Sequence, residues 1–291
     1  MQKKTYPGQP VVTLNNGVDI PALGFGVWQM DDLKECENAV VKAIQTGYRM
    51  IDTAAIYQNE TAVGAAVKNS GVKRDELFIT SKVWVQDHGY EKAKSAFQRT
   101  LDRLQMDYLD MYLIHWPYGD FLGTWKALEE LYQEGKIKAI GVCNFTVGKL
   151  EELKANSTVL PVINQIELHP VFQQKELQVY DRENNIITQP WSPLGNGNAN
   201  LLGNPELKAI AEKYSKTVAQ IILRWHLQEG FVVIPKSVTP SRIEENFNVF
   251  DFQLTEEEMN VIRSLDTGRR LFFDPEDPEW EQKMLKSVAD I

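Results

Sequence analysis

The chain has 291 residues, 43% of them hydrophobic and 24% charged, with 40 acidic against 31 basic side chains and a formal net charge of -9. That balance excludes a general nucleic-acid or anionic-membrane partner, either of which calls for a basic face; an anionic cofactor needs only one local basic cluster. Cys36 and Cys143 form no CxxC or metal-like spacing, so no disulfide framework or metal site is expected, and a reducing, cytoplasmic setting is. The opening MQKKTYPGQP has no apolar signal-peptide core, and no run reaches the roughly 20 apolar residues that span a membrane.

In chain order, VVTLNNGVDIP comes first, with two strand-like arms around Asn16-Gly17. That dipeptide suits the left-handed conformations of a hairpin turn. Short apolar runs then alternate with longer helix-patterned segments. The predicted strands are Phe25–Val27, Arg49–Asp52, Leu77–Ser81, Met111–Ile114, Ile137–Val142, Val162–Glu167, Ile186–Pro190 and Val232–Ile234, eight in all. Between them, LKECENAVVKAIQTG shows helical spacing and ends at Gly47, a suitable C-terminal stop. YEKAKSAFQRTLDRLQ and TVGKLEELKAN read the same way. Repeated strand–helix units imply a parallel sheet covered by helices. Eight units imply closure into a (β/α)8 TIM barrel rather than an open sheet of about five or six strands.

The tail from Gly268, GRRLFFDPEDPEW, reads as an irregular, aromatic and acidic loop packed over the rest. No low-complexity linker interrupts the chain, so residues 1–291 read as one domain. GFGVWQ, around Gly24 and Gly26, lacks the third glycine of a dinucleotide fingerprint, and a Rossmann domain is not supported.

In such a barrel, catalytic groups come from the C-terminal ends of strands and the loops after them. Asp52 ends the second strand and Tyr57 lies just beyond it. Lys82 follows the third, His115 the fourth and Asn144 the fifth; Gln165 lies within the sixth, Trp191 follows the seventh and Lys236 the eighth. Taken singly, each has a plainer reading: a turn or helix-cap Asp, a packed Tyr, a solvated Lys, a core His. Together they gather on one face.

GYRMIDTAAIYQNE, FITSK, YLIHWP, NQIELHP, WSPLG and IPKSVTPSRIEEN occur in that order. They resemble the successive signatures of the aldo-keto reductase family, and the likeness runs from about Thr13 to Leu265. The resemblance implies NADPH-dependent reduction of aldehydes and ketones by a tetrad of Asp52, Tyr57, Lys82 and His115. Its chemistry is intelligible: hydride attack on a carbonyl carbon builds negative charge on the oxygen, which must receive a proton or a strong hydrogen bond. Tyr57 would be the acid, and the Lys82 ammonium would favour its phenolate. Asp52 would pair the lysine, and His115 would orient the carbonyl.

By the same resemblance, Asn144 and Gln165 would bond a nicotinamide carboxamide and Trp191 would stack on the ring. Lys236, Ser237 and Arg242, at a helix start, would hold phosphates, Arg242 favouring the 2′-phosphate of NADPH. Gly26, Trp28, Asp52, Cys143, Ser192, Leu194, Val238, Glu245 and Asn246 complete the implied cofactor set. Trp28, Tyr57, Trp84, His115, Trp116 and Phe272 form the implied substrate pocket, which Phe273 could help close.

Implied substrates are aliphatic and aromatic aldehydes, 2-oxoaldehydes and keto-sugars, and the implied assembly is a monomer. Three positions depart from the family pattern: Cys143 where serine is usual, Met50 where histidine is frequent, and Trp191 where tyrosine is more common. Two alternatives stay open: a lyase using Lys82 as a Schiff-base nucleophile, and a non-catalytic NADPH-binding protein on the same fold.

Overall fold

A computed structural model describes residues 4–286 of the chain, with positions 198 and 199 given by backbone alone. The Asn16-Gly17 hairpin forms as expected. Strand β1 (Val11–Thr13) pairs antiparallel with β2 (Asp19–Pro21), setting Val12 opposite Ile20. Gly17 takes a φ of 82°, which its lack of a Cβ allows.

The main sheet has seven parallel strands, each hydrogen-bonded to the next in chain order. They are β3 (Phe25–Gly26), β4 (Met50–Asp52), β5 (Phe78–Val83), β6 (Met111–Ile114), β7 (Ile140–Cys143), β8 (Ile163–Glu167) and β9 (Ile187–Trp191). Their residues are buried almost throughout, as a sheet covered on both faces requires.

The strand expected over Val232–Ile234 is not a continuous strand. The segment still fills the eighth place: Val233 bridges Leu23 in parallel, and its N–H donates to Ala22 O at 3.0 Å. The N–H of Gly24 donates to Val233 O at 2.8 Å, that of Gly26 to Pro235 O at 3.1 Å, and that of Val232 to Thr188 O at 3.4 Å. The sheet therefore closes into a barrel, in which Pro235, without an N–H, accepts from Gly26 but donates nothing in return.

Inside the barrel, Leu14 and Ile20 of the hairpin pack with Met50, Phe78, Met111, Val162 and Val232, residues at or near the N-terminal ends of the strands. The hairpin thus plugs the end opposite the catalytic one. Outside, helices α1 (Leu33–Thr46), α2 (Glu60–Asn69), α3 (Tyr90–Leu104), α4 (Phe121–Gln133), α5 (Val147–Ala155) and α6 (Lys175–Glu183) follow strands β3 to β8 in turn. Then come α7 (Pro205–Tyr214), α8 (Val218–Gln228), α9 (Pro240–Phe247) and α10 (Glu256–Ser264). Helix α1 shows why the local sequence folds this way. Asp32 caps its start by accepting from the N–H groups of Lys34 and Glu35, and Gly47 ends it with a φ of 131°.

Several strand boundaries differ from the sequence-based expectation, most of them by one residue. Strand β5 runs on to Val83, so Lys82 lies inside a strand instead of after one. Trp191 is likewise the last residue of β9, and β7 starts only at Ile140, Ile137 making an isolated bridge to Leu109. The tail is not wholly irregular: α11 (Pro278–Lys286) begins in the stretch expected to be a loop.

Candidate active site

The C-terminal ends of the strands open on a cavity of about 580 Å³, lined among others by Asp52, Tyr57, Trp84, His115, Trp116 and Trp191. That volume lies within the range of ordinary small-molecule pockets. Lys82 does not itself line the cavity; behind Asp52, its Nζ donates to Asp52 Oδ1 at 2.6 Å and to the Thr53 carbonyl at 2.8 Å. Lys82 is fully buried and Asp52 nearly so. Burial alone would push the ammonium down, but the Asp52 carboxylate outweighs it and holds the lysine above its ordinary value.

Tyr57 ends a short turn of 3-10 helix, with the Lys82 ammonium 5.0 Å from its ring centroid. Burial raises its phenol to about 12, while the ammonium pulls the other way. The lysine acts in the expected direction, yet desolvation wins, so the phenol keeps its proton at neutral pH.

His115 lies against Tyr57, ring centroids 5.6 Å apart, and against Trp84 at 5.1 Å. Burial first, then the positive charge of Lys82 and the neighbouring His88, hold its imidazole well below its ordinary range. It is therefore neutral at pH 7, with one ring N–H to donate.

The side chains around this group tie the strands together. The Gln165 Nε2 donates to Asp52 Oδ2 at 2.9 Å and to Gln189 Oε1 at 2.8 Å. The Asn144 Nδ2 donates to the His115 carbonyl at 3.1 Å, and the Trp191 Nε1 donates to Asn144 Oδ1 at 2.9 Å. Both amides are thus already engaged, although Asn144 keeps a second N–H and Gln165 its Oε1 oxygen.

The remaining sequence-derived residues divide. Gly26, Trp28, Ser192, Leu194, Lys236 and Phe272 also line the cavity. A Cβ at Gly26 would come within 3.3 Å of the Ile234 carbonyl oxygen, so the wall there is close-packed. Cys143 does not line the cavity; it is fully buried in the barrel interior with Met50, and burial raises its thiol strongly. Ser237, Val238, Arg242, Glu245 and Asn246 lie off the cavity, before and along α9. The Ser237 Oγ accepts from the Thr239 N–H at 3.1 Å, and a Glu245 carboxylate oxygen accepts from the Thr217 hydroxyl at 2.9 Å.

Sequence reasoning missed Ile56, Trp280 and Met284 on the cavity wall. It also missed Gln189 behind Gln165 and Glu167 at the end of β8. Trp280 and Met284 are four residues apart, the spacing that shares a helix face; that signal was available in WEQKMLK.

Residues 22–267 match the Aldo/keto reductase family. Over 267 residues the chain is 52% identical to the glyoxal reductase of Bacillus subtilis, which covers 91% of this chain and 96% of that protein. It is 49% identical over 269 residues to the methylglyoxal reductase DkgA of Escherichia coli, covering 91% and 97% respectively. A solved aldo-keto reductase of Bombyx mori in complex with NADP matches with a TM-score of 0.86 at 37% identity, over 91% of this chain and 95% of that one. A closed parallel barrel with this cluster at its C-terminal mouth defines an α/β-barrel enzyme of the oxidoreductase type. Within that class, the chain belongs to the aldo-keto reductase family.

Proposed function

We propose that the chain is an NADPH-dependent carbonyl reductase acting on small aldehydes, ketones and 2-oxoaldehydes, with Tyr57 as the general acid. One observation carries the reading. Asp52, a protonated Tyr57 and a neutral His115 line an aromatic-walled cavity, with the buried Lys82 paired to Asp52 behind them. The relatives named for glyoxal and methylglyoxal reduction, and the Bombyx mori enzyme with NADP, support the substrate class and the cofactor.

The residues fit a dinucleotide. The exposed Lys236 stands on the cavity wall with Trp191 and Ser192, and the start of α9 lies four residues further along the chain. Lys236, Ser237, Val238 and Arg242 would hold phosphates there, the helix start favouring negative charge. Trp191, half-buried and fixed at its edge by Asn144, would stack on a nicotinamide, with the spare N–H of Asn144 and Oε1 of Gln165 for its carboxamide. NADPH, when bound, supplies the hydride.

The protein's own part is positioning and proton transfer. His115 would donate its ring N–H to the substrate carbonyl oxygen and align it. Tyr57 would release its Oη proton to that oxygen as charge develops, the Lys82 ammonium easing the loss. Asp52 would keep Lys82 charged and in place, and Gln165 with Gln189 would keep Asp52 in place. Apolar walls would exclude water from the reacting centre.

The lyase alternative needs an unprotonated, attacking Lys82, and a lysine held by Asp52 and the Thr53 carbonyl gives it no support. We also read the chain as one domain acting as a cytoplasmic monomer. No helix among the described residues is long and apolar enough to cross a membrane. Light scattering on the purified chain checks the monomer.

The function is tested by following loss of NADPH absorbance with methylglyoxal, comparing wild type with Tyr57→Phe. The variant loses about 10²–10⁴-fold in kcat while NADPH still quenches tryptophan fluorescence. Wild-type protein that binds NADPH but reduces no carbonyl compound would overturn the reductase reading.

A further inference from the structure

We propose that Glu167 is a positioning residue. It anchors the C-terminal tail as a wall of the substrate cavity and so sets how well the enzyme takes aromatic aldehydes relative to small ones. The specificity half of this inference rests on the reductase reading above; the anchoring half does not.

Glu167 is the last residue of β8, is 0% exposed and pairs in the ladder with Trp191. A carboxylate buried this completely is costly unless donors surround it. One donor is local: the His169 Nε2 lies 3.1 Å from Oε1. The others come from the tail, about a hundred residues further along the chain. The Leu271 N–H donates to Oε1 at 2.6 Å, and the Arg270 guanidinium stands 3.6 Å from Oε2 while lying 4.5 Å over the Phe172 ring. The strand end therefore draws on the tail for a donor to Oε1, while Oε2 has no hydrogen bond and only the Arg270 charge beside it.

What the tail delivers follows directly after that anchor. Phe272 sets its edge against Trp191 at 5.1 Å and Trp28 at 6.2 Å, centroid to centroid. Phe273 stacks on Trp280 at 3.6 Å, and Trp280 meets Trp116 at 6.3 Å. Phe272, Phe273, Trp280 and Met284 all line the cavity. One wall of the cavity is thus built from a segment whose nearest upstream polar ties to the barrel are the Leu271 and Arg270 contacts to Glu167 and the Thr267 bonds to the Val171 carbonyl. Removing the first set frees Phe272 and Phe273 while leaving Asp52, Tyr57, Lys82 and His115 untouched.

The test uses the full chain with Glu167→Ala and Leu271→Pro. The second removes the donated N–H from the tail side, so it stays informative if the buried substitution prevents folding. Trypsin should cut after Arg269, a bond that both variants keep, roughly ten-fold faster in both variants than in wild type, read by mass. KM for 4-nitrobenzaldehyde should rise roughly ten-fold, as for the loss of one aromatic wall, with kcat for methylglyoxal within about two-fold. Glu167→Gln keeps an oxygen for the Leu271 N–H and should restore slow cleavage.

Unchanged cleavage in both variants overturns the anchor. Equal loss of activity towards both aldehydes overturns the specificity role. Should wild type reduce neither aldehyde, the reductase reading fails, and the trypsin comparison still decides the anchor.

Discussion

Asp181 offers a direct test of how burial governs this fold's pH dependence. It lies on α6, is 0% exposed, and accepts from the Thr188 hydroxyl of β9 at 2.9 Å. Its Oδ1 has no hydrogen-bond partner, and neither has the Oδ1 of Asn164, its other hydrogen-bonding neighbour. Burial raises the carboxyl from 3.8 to about 7, only partly offset by Thr188 and Asn164. The raised value is intelligible, because burial disfavours the charged form and no donor meets Asp181 Oδ1. Since the folded pKa exceeds the unfolded one, the native state holds the proton more tightly. The resulting stability is full below about pH 4 and is lost as pH rises through 7. A shift of about three units corresponds to about 4 kcal/mol at 1.36 kcal/mol per unit, of which about 2.5 kcal/mol falls between pH 5 and pH 8. Asp181→Asn places an amide N–H where the proton would be and does not titrate. Urea unfolding of both proteins at pH 5 and pH 8 should show the variant gaining about 2.5 kcal/mol on wild type over that interval. An identical difference between the two proteins at both pH values would refute the argument, because Asp181 would then carry the same protonation throughout.

Two further substitutions probe the site and the packing behind it. Lys82→Met strands the Asp52 carboxylate in the barrel and should cost about 3–5 kcal/mol at pH 8. Adding Asp52→Asn should recover much of that stability in urea unfolding, yet both proteins should stay at least about 10²-fold below wild type in NADPH oxidation; recovery of activity in the double variant would remove Lys82 from the proton step. Gly64→Ala tests a close approach of α2 to α3, since an added Cβ would lie 2.3 Å from the Leu104 carbonyl oxygen. A helical glycine usually gains up to about 1 kcal/mol on replacement by alanine, but here backbone must move and a loss of about 1–3 kcal/mol is expected. A raised Tm in that variant would show the contact to be softer than the geometry requires.

How much of this was legible in the sequence depended on whether a residue's signal was local. The hairpin at Asn16-Gly17, the stop at Gly47 and the strand–helix alternation are written in turn chemistry and periodicity, and each stands where expected. The positions of Asp52, Tyr57 and His115 relative to strand ends followed from them. Val232–Ile234 looked like a strand because it is apolar; it does pair on both sides, but Pro235 lacks the N–H that would carry the pattern on as a continuous strand. Lys82 looked like a residue after a strand because a lysine reads as an ending. Only the ion pair with Asp52 makes it tolerable inside one. Gln189 carried no local signal, because its partner Gln165 lies on another strand, and for Glu167 the nearby His169 gave no hint of the bond from Leu271 in the tail.

The ends of the strands explain why the polar side chains here cannot be exchanged freely. Asn144, just after β7, has a φ of 62°, a conformation that asparagine adopts at lower cost than most residues. That backbone turn directs its amide so that one end takes the Trp191 indole N–H and the other donates to the His115 carbonyl. The residue is thus constrained twice, by a left-handed backbone and by the need for a donor and an acceptor on one short side chain. Glycine would satisfy the first constraint alone, and glutamine or serine the second only in part. Asn144 links Trp191 to His115, and Gln165 links Asp52 to Gln189. Trp191, His115 and Asp52 are therefore held by bonds crossing neighbouring strands. In a low-dielectric interior such fully engaged bonds strengthen one another, and each partly broken one is costly. A rigid barrel end built this way can present Tyr57 and His115 in one fixed geometry, with an aromatic wall added from outside by the tail.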